Sequence, residues 1–207
     1  MYDLNGKVAI VTGAGGRHGI GRAIAERFAG VGANVVVNDI DAETADEVVA
    51  GINASGGTAM SAIADVSDGT QVNTMFDAVL EAHGTVDVLI NNAGGHFPSP
   101  AAALSPRGWE ADVRNNLNGT FFMTREVATS VMIPQGSGRI VMVTAMVARG
   151  FPGMAHTGAA RAGVENLTES LAIEWAQHGI RVNCIAPGNN IRSSGTAQYG
   201  EEALELT

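Results

Sequence analysis

A single lysine, Lys7, and a single cysteine, Cys184, stand among the 207 residues, and aromatic residues make up only 5% of them. The shortage of lysine leaves 12 basic side chains against 21 acidic ones, a formal net charge of −9. Nucleic-acid affinity depends on clustered Lys and Arg against a phosphate backbone, so this balance argues against such a partner. One cysteine cannot form an intramolecular disulfide, and Cys184 sits in an apolar run, which makes it read as a buried, inert thiol. No charged-then-apolar leader opens the chain, and no uncharged apolar run is long enough to cross a bilayer. The expected setting is therefore soluble, reducing and cytoplasmic, with no membrane partner. Spacings of His, Cys or carboxylate that would suit a metal are also missing.

What is present is glycine and apolar residues in pattern. The 45% hydrophobic content of the 207 residues suits one domain with a multilayer core. The β-branched run Val8-Ala9-Ile10-Val11 gives way to glycines at Gly13, Gly15, Gly16, Gly19 and Gly21, and the segment from Ile20 to Phe28 then takes up helical spacing. That order predicts a strand, a tight turn and a helix. Glycines let the turn approach an anion closely, and the N–H groups of the helix start, at Gly19, Ile20 and Gly21, favour a pyrophosphate. His18 lies in the same loop and either contacts a phosphate or faces water. Asn34 to Asp39 reads as a second buried strand ending in a carboxylate, 18 residues beyond Gly21. An acid at that spacing accepts from both ribose hydroxyls of NAD and repels a 2′-phosphate. NAD(H) is therefore favoured, with NADP(H) kept open by Arg17 in the loop.

Further strands are expected at residues 58–64, 86–90, 139–144 and 181–185. Between them, Asp41 caps a helix to about Ser55, Asp68 caps one to His83-Gly84, Ser105-Pro106 starts one to about Ile133, and another runs over residues 156–178. The third strand ends at Asp65-Val66, where the acid can accept from an adenine amino group or cap the next segment. Strands alternating with helices predict an α/β fold, a three-layer, doubly wound parallel sheet with six strands, whose ligands bind beyond the strands' carboxyl ends.

Thr12-Gly13 with Gly19-Ile20-Gly21, Asn91-Asn92-Ala93-Gly94, Asn116-Leu117-Asn118-Gly119, and Ile180-Arg181-Val182-Asn183 with Ala186-Pro187-Gly188 together resemble the short-chain dehydrogenase/reductase family. The resemblance covers about residues 7–192. It implies a nicotinamide-dependent oxidoreductase, a Rossmann fold, and a homodimer or homotetramer built on the two long helices. Asn92, Ala93 and Gly94 would line the cofactor, and Pro187-Gly188 would flank the nicotinamide. The family continues through a substrate loop to a seventh strand. Here residues 1–207 read as one dinucleotide-binding domain ending inside that loop, with the seventh strand absent.

The family's catalytic set is Asn, Ser, Tyr and Lys, and the matching positions here are Asn116, Thr144, Thr157 and Arg161. A threonine hydroxyl is too weak an acid to protonate an alkoxide. Arg161 stays protonated, so it can grip ribose hydroxyls but cannot relay a proton. Reduction of an enoyl thioester is less demanding, because the enolate oxygen needs hydrogen-bond donors, which Thr157, Thr144 and Asn116 can supply. The segment from His156 to Val164, followed by Leu167-Thr168, is similar to the trans-2-enoyl-CoA and dienoyl-CoA reductase subgroup. The expected substrate is thus an enoyl or 3-oxoacyl thioester, with a simple carbonyl or alcohol as the alternative. A third reading is a nucleotide-binding sensor that has lost catalysis. His96 and Phe97 are expected above the cofactor end, lining the acyl pocket. His156, turned about 100° from Thr157 on its helix, reads as a surface or packing residue. Tyr199 in the final loop is a candidate replacement donor.

Overall fold

Runs of Val, Ile and Ala punctuated by glycine build six strands in the computed structural model, which describes residues 3–188. They are β1 (Val8–Thr12), β2 (Asn34–Asp39), β3 (Thr58–Ile63), β4 (Val88–Asn91), β5 (Gly138–Val143) and β6 (Ile180–Ile185). All pair in parallel, in the spatial order β3-β2-β1-β4-β5-β6. The chain moves outward from β1 to β3, then crosses back to β4, so the direction of winding reverses between β1 and β4. A crevice opens there, beyond the strands' carboxyl ends. Tyr199 lies outside the described residues.

Both sheet faces are covered, as the near-continuous apolar strands require. On one face Ala9, Val11, Val35 and Val37 meet Ala25 and Ala29 of α1 (Ile20–Ala29) and Ala45, Val48 and Ile52 of α2 (Ala42–Ala54). On the other, Ile10, Val36, Leu89 and Ile140 meet Phe76 of α3 (Gly69–His83) and Met123 and Val127 further along the chain. Burying each large side chain of this kind contributes about 1.5–3 kcal/mol. Cys184 is half-buried and packs against this second cluster.

The caps fall where short polar side chains precede apolar periodicity. Asp41 accepts from the N–H groups of Glu43 and Thr44, and Asp68 from those of Thr70 and Gln71. Ser105 Oγ accepts from Gly108 N at 3.1 Å and opens α4 (Pro106–Val113). Ser105→Ala should cost about 1 kcal/mol, read as a lower denaturation midpoint with an unchanged slope.

Two expectations need correction. The fourth strand begins at Val88 rather than Val86; Asp87, just before it, still donates its N–H to Val8 O and accepts from Arg139 N, while its carboxylate turns to Lys7 Nζ at 2.8 Å and Val8 N at 3.0 Å. The helix from Pro106 is not regular: π-helical turns at Arg114–Asn118 and Ala128–Met132 separate α4, α5 (Gly119–Val127) and α6 (Ile133–Gln135). The second π turn precedes Pro134, whose missing N–H and bulky ring a wider turn accommodates. After β5 comes α7 (Ala155–Trp175), closed by a 3₁₀ turn at Ala176–His178.

Candidate active site

The turn after β1 is close-packed in a way only glycine permits. Gly13 has φ +61°, and a Cβ there would lie 2.8 Å from Ala93 Cα. At Gly21 it would lie 2.5 Å from Asn92 Nδ2 and 2.6 Å from Gly13 O. Gly15 is buried and donates its N–H to Asp39 Oδ2 at 2.8 Å. Gly19 stands in extended backbone at the start of α1, and no side chain caps that helix, whereas Asp41, Asp68 and Ser105 cap α2, α3 and α4. The first turn of α1 therefore presents uncapped N–H groups at the switch point, a cradle that fits a pyrophosphate. His18, also at positive φ (57°), is exposed beside it.

Asp39 ends β2 with both oxygens engaged: Oδ2 by Gly15 N, and Oδ1 by Ile40 N at 2.8 Å and Asp41 N at 3.2 Å. These bonds fix the carboxylate and leave lone pairs for further donors. Arg17 turns away to Glu47 Oε2 at 3.1 Å, and Arg22 meets the other oxygen of Glu47. The hydrogen bonds from Arg22 and then Arg17 hold the Glu47 carboxyl below the usual range. Asp65 Oδ1 accepts from Ser67 N, shaping the turn before α3, and Val66 is buried against Gly119.

Asn92 fastens the end of β4 to this turn. Its Nδ2 donates to Thr12 O and Gly13 O, while the N–H groups of Asn92 and Ala93 donate to Thr12 Oγ1. Gly94 follows, exposed, and the Arg161 guanidinium lies so close that any Cβ at Gly94 would collide with it and with Asn116 Oδ1. Pro187 and Gly188 follow β6 at the same end of the sheet, and Thr144 N donates to Ile185 O at 2.8 Å across the β5–β6 exit.

Asn116, Thr144, Thr157 and Arg161 converge beyond β4 and β5, and all four are buried or nearly so. Asn116 lies in the first π turn, fully buried, with both amide protons given away, to Gly95 O at 2.7 Å and Asp112 O at 3.0 Å. The Thr144 hydroxyl donates to Arg161 O at 3.2 Å. Thr157 donates its hydroxyl proton to Asp112 Oδ1 at 3.0 Å. The three donors expected to face an enolate thus spend their protons on protein acceptors. Arg161 Nη1 donates to Val143 O at 2.7 Å. Burial brings the Arg161 guanidinium down to about 10, with Asp112 opposing the shift, so it remains cationic at neutral pH.

Asp112 was not singled out in the sequence, and it is 4% exposed, with Oδ2 lacking any hydrogen-bond partner. A signal for it existed. Asp112, Asn116, Thr120 and Thr124 recur every four residues, and all are buried: Asn116 Nδ2 bonds Asp112 O, Thr120 Oγ1 bonds Asn116 O, and Thr124 Oγ1 receives Asn91 Nδ2. A polar stripe on the buried face of a helix marks groups with partners elsewhere. His156 is packed, with no surface exposure. Its Nε2 lies 3.0 Å from Phe97 O and 4.0 Å from Asp112 Oδ1, and its ring meets that of Phe97 at 4.6 Å. A carbonyl partner fixes Nε2 as the protonated nitrogen, and Nδ1 is left unpartnered. Ser99 N donates to Gly153 O at 2.7 Å, so the loop after β4 is tied both to the loop after β5 and to the first turn of α7. His96 is half-buried in the first of these loops. Burial lowers its pKa most; Arg161 and His156 lower it further and Asp112 raises it.

A doubly wound parallel sheet with a glycine-lined, uncapped helix start at its switch point is a dinucleotide-binding fold. The family model described as short chain dehydrogenase matches residues 7–202, and the chain belongs to that family of oxidoreductases. It is 40% identical over 190 residues to a 3-oxoacyl-[acyl-carrier-protein] reductase of Synechocystis sp., covering 91% of this chain and 76% of that one. It is 37% identical over 205 residues to a Bacillus subtilis protein named "Probable 2,4-dienoyl-CoA reductase", covering 97% of this chain and 80% of the relative. Among solved structures, a gluconate 5-dehydrogenase from Burkholderia cenocepacia J2315 in complex with NADP and tartrate superimposes with a TM-score of 0.83. It shares 35% identity over 90% of this chain and 72% of that one. The chain spans 60% to 81% of the length of the curated relatives. Among the described residues no helix is long and apolar enough to cross a membrane, and no cluster of His, Cys, Asp or Glu suits a metal ion.

Proposed function

We propose that the chain is an NAD(P)-dependent oxidoreductase acting at carbon 3 of an acyl thioester, interconverting its 3-oxo and 3-hydroxy forms. One observation carries this reading: Thr157 spends its proton on Asp112, which leaves its oxygen to act as an acceptor. A hydroxyl in that state accepts from a substrate O–H, which a 3-hydroxyacyl group offers and an enoyl group does not. The Synechocystis relative, by its name, acts on this class of thioester. The Bacillus relative supports enoyl reduction as the second reading, in which Arg161 supplies the positive field for the enolate.

Gly13, Gly15, His18, Gly19, Ile20 and Gly21 would hold the pyrophosphate, Asp39 the adenosine ribose, and Asp65 and Val66 the adenine. Asn92, Ala93, Gly94, Pro187 and Gly188 would surround the nicotinamide end, with Arg161 toward its ribose. When bound, the dinucleotide supplies or accepts the hydride. Asp39 favours NAD(H), and the NADP held by the Burkholderia relative keeps NADP(H) open. The groove between α5 and α7, about 430 Å³ and lined by Leu117, Phe121, Phe122 and Leu167, supports a homodimer or homotetramer through those helices.

NADH and NADPH affinities, followed by absorbance loss on adding acetoacetyl-CoA or crotonyl-CoA, test the reading. The expected result is tighter NADH binding and oxidation by acetoacetyl-CoA. Oxidation by crotonyl-CoA alone would replace it with enoyl reduction, and tight binding without turnover would point to a sensor.

A further inference from the structure

We infer that Asp112 is the group that holds and returns the proton in this site, acting through the Thr157 hydroxyl. The inference rests on the 3-oxo/3-hydroxy reading above.

A threonine alone cannot exchange a proton near neutral pH, and Arg161 does not release one. Asp112 is the ionisable group in direct hydrogen-bond contact with Thr157, at 3.0 Å, and both residues are under 5% exposed. Its free oxygen argues against a purely structural role, because a buried carboxylate kept only for packing normally satisfies both oxygens. Asn116, Thr120 and Thr124 of the stripe each have a hydrogen-bond partner, and among these four residues Asp112 Oδ2 is the buried side-chain atom left without one.

Charged and titratable groups face Asp112 from two elements. From α7, Arg161 contributes a positive charge and His156 Nε2 lies 4.0 Å from Oδ1. From the loop after β4, the half-buried His96 is the other titratable neighbour. With the His156 N–H committed to Phe97 O, the Asp112 proton has Thr157 as its outlet.

In the oxidising direction the substrate O–H bond breaks and its proton passes to Thr157 Oγ1. The proton already on Oγ1 moves to Asp112 Oδ1, leaving a neutral carboxylic acid. The electron pair of the C3–H bond goes to the oxidised nicotinamide dinucleotide, and the ketone remains. Reduction runs the same path backward, with Asp112 starting protonated, so that charge and protons balance in both directions.

Asp112→Asn is the decisive variant, because its amide oxygen still accepts from Thr157 and preserves the fold, which a thermal melt checks. Expected is a fall in kcat for acetoacetyl-CoA of about 100-fold or more with KM little changed. Thr157→Val should behave alike, Thr157→Ser should keep most activity, and the double variant should be no slower than either single one. A second readout needs neither substrate nor dinucleotide: the carboxyl C=O stretch in infrared difference spectra between high and low pH. The free protein should show a buried carboxyl band that titrates, disappears in Asp112→Asn and shifts in Thr157→Val. Unchanged kcat in Asp112→Asn, or no band that this variant removes across the pH range of the folded state, would overturn the inference. If the wild type turns over neither thioester, the reading of function fails, and the infrared titration still decides whether Asp112 takes a proton.

Discussion

Gly21→Val should abolish dinucleotide binding and lower the melting temperature. Even the first carbon of a side chain at position 21 would sit 2.5 Å from Asn92 Nδ2, 2.6 Å from Gly13 O and 3.0 Å from Ala14 Cα. Two of those neighbours are backbone, and the third is held by two hydrogen bonds of its own, so none can yield cheaply. The relief open to the chain is to push the start of α1 away from the turn. That displaces the uncapped N–H groups by which a pyrophosphate would be held. Overpacking of this kind costs about 1–3 kcal/mol for one added methyl group, and valine lies at or above the upper end. At roughly 2–4 °C per kcal/mol for a chain of this size, the loss is readily seen by calorimetry. An NADH titration showing normal affinity in a folded Gly21→Val protein would refute the placement of the pyrophosphate.

Arg161→Met should have the second large effect, because a single guanidinium serves several neighbours. Its removal leaves Val143 O without the 2.7 Å bond and leaves Asp112 buried without the cation that opposes it. Leaving a buried carbonyl without its donor costs about 1–3 kcal/mol, and the lost field at Asp112 adds to it. Asp112→Asn should recover part of that loss when combined with Arg161→Met, a coupling that a double-mutant cycle in urea measures. The pH dependence also has a definite sign. Arg161 is one of the groups pushing the His96 pKa down, so in Arg161→Met that pKa should rise toward its ordinary value. In the wild type the depressed His96 pKa means that the unfolded chain binds the proton more readily, so His96 withdraws stability as pH falls through the ordinary histidine range. In Arg161→Met that acid sensitivity should weaken, and proton NMR of the His96 ring would report the shift directly.

The glycine turn, the six strands and the three capped helix starts were legible because each is written in adjacent residues. Gly13, Gly21 and Asp68 act through neighbours in sequence or through a turn that their own type dictates. The interior of the site was less legible. Asp112 hides in a helix that the sequence marks by its Ser105-Pro106 start alone, and its partner Thr157 lies 45 residues away. The burial of His156 is decided by Phe97, 59 residues distant, through a bond to a loop carbonyl that no local pattern encodes. The π turn around Asn116 was equally invisible, since nothing in Arg114-Asn115-Asn116-Leu117-Asn118 forbids an ordinary helix. The direction of the hydroxyl protons reversed the chemistry expected of Thr157, and that direction depends on an acceptor supplied by another element.

The two fastenings of the loop after β4, Ser99 N to Gly153 O in the loop after β5 and Phe97 O to His156 in the first turn of α7, also bear on the timing of events in the protein. Segments tied at two points fluctuate together, so the two loops share a single opening equilibrium rather than two independent ones. Amide hydrogens of both loops should then exchange with solvent at matching rates, and weakening one fastening should quicken exchange in the other loop as well. The rate at which a substrate is admitted past these loops would follow that joint breathing, even where no substituted residue touches it.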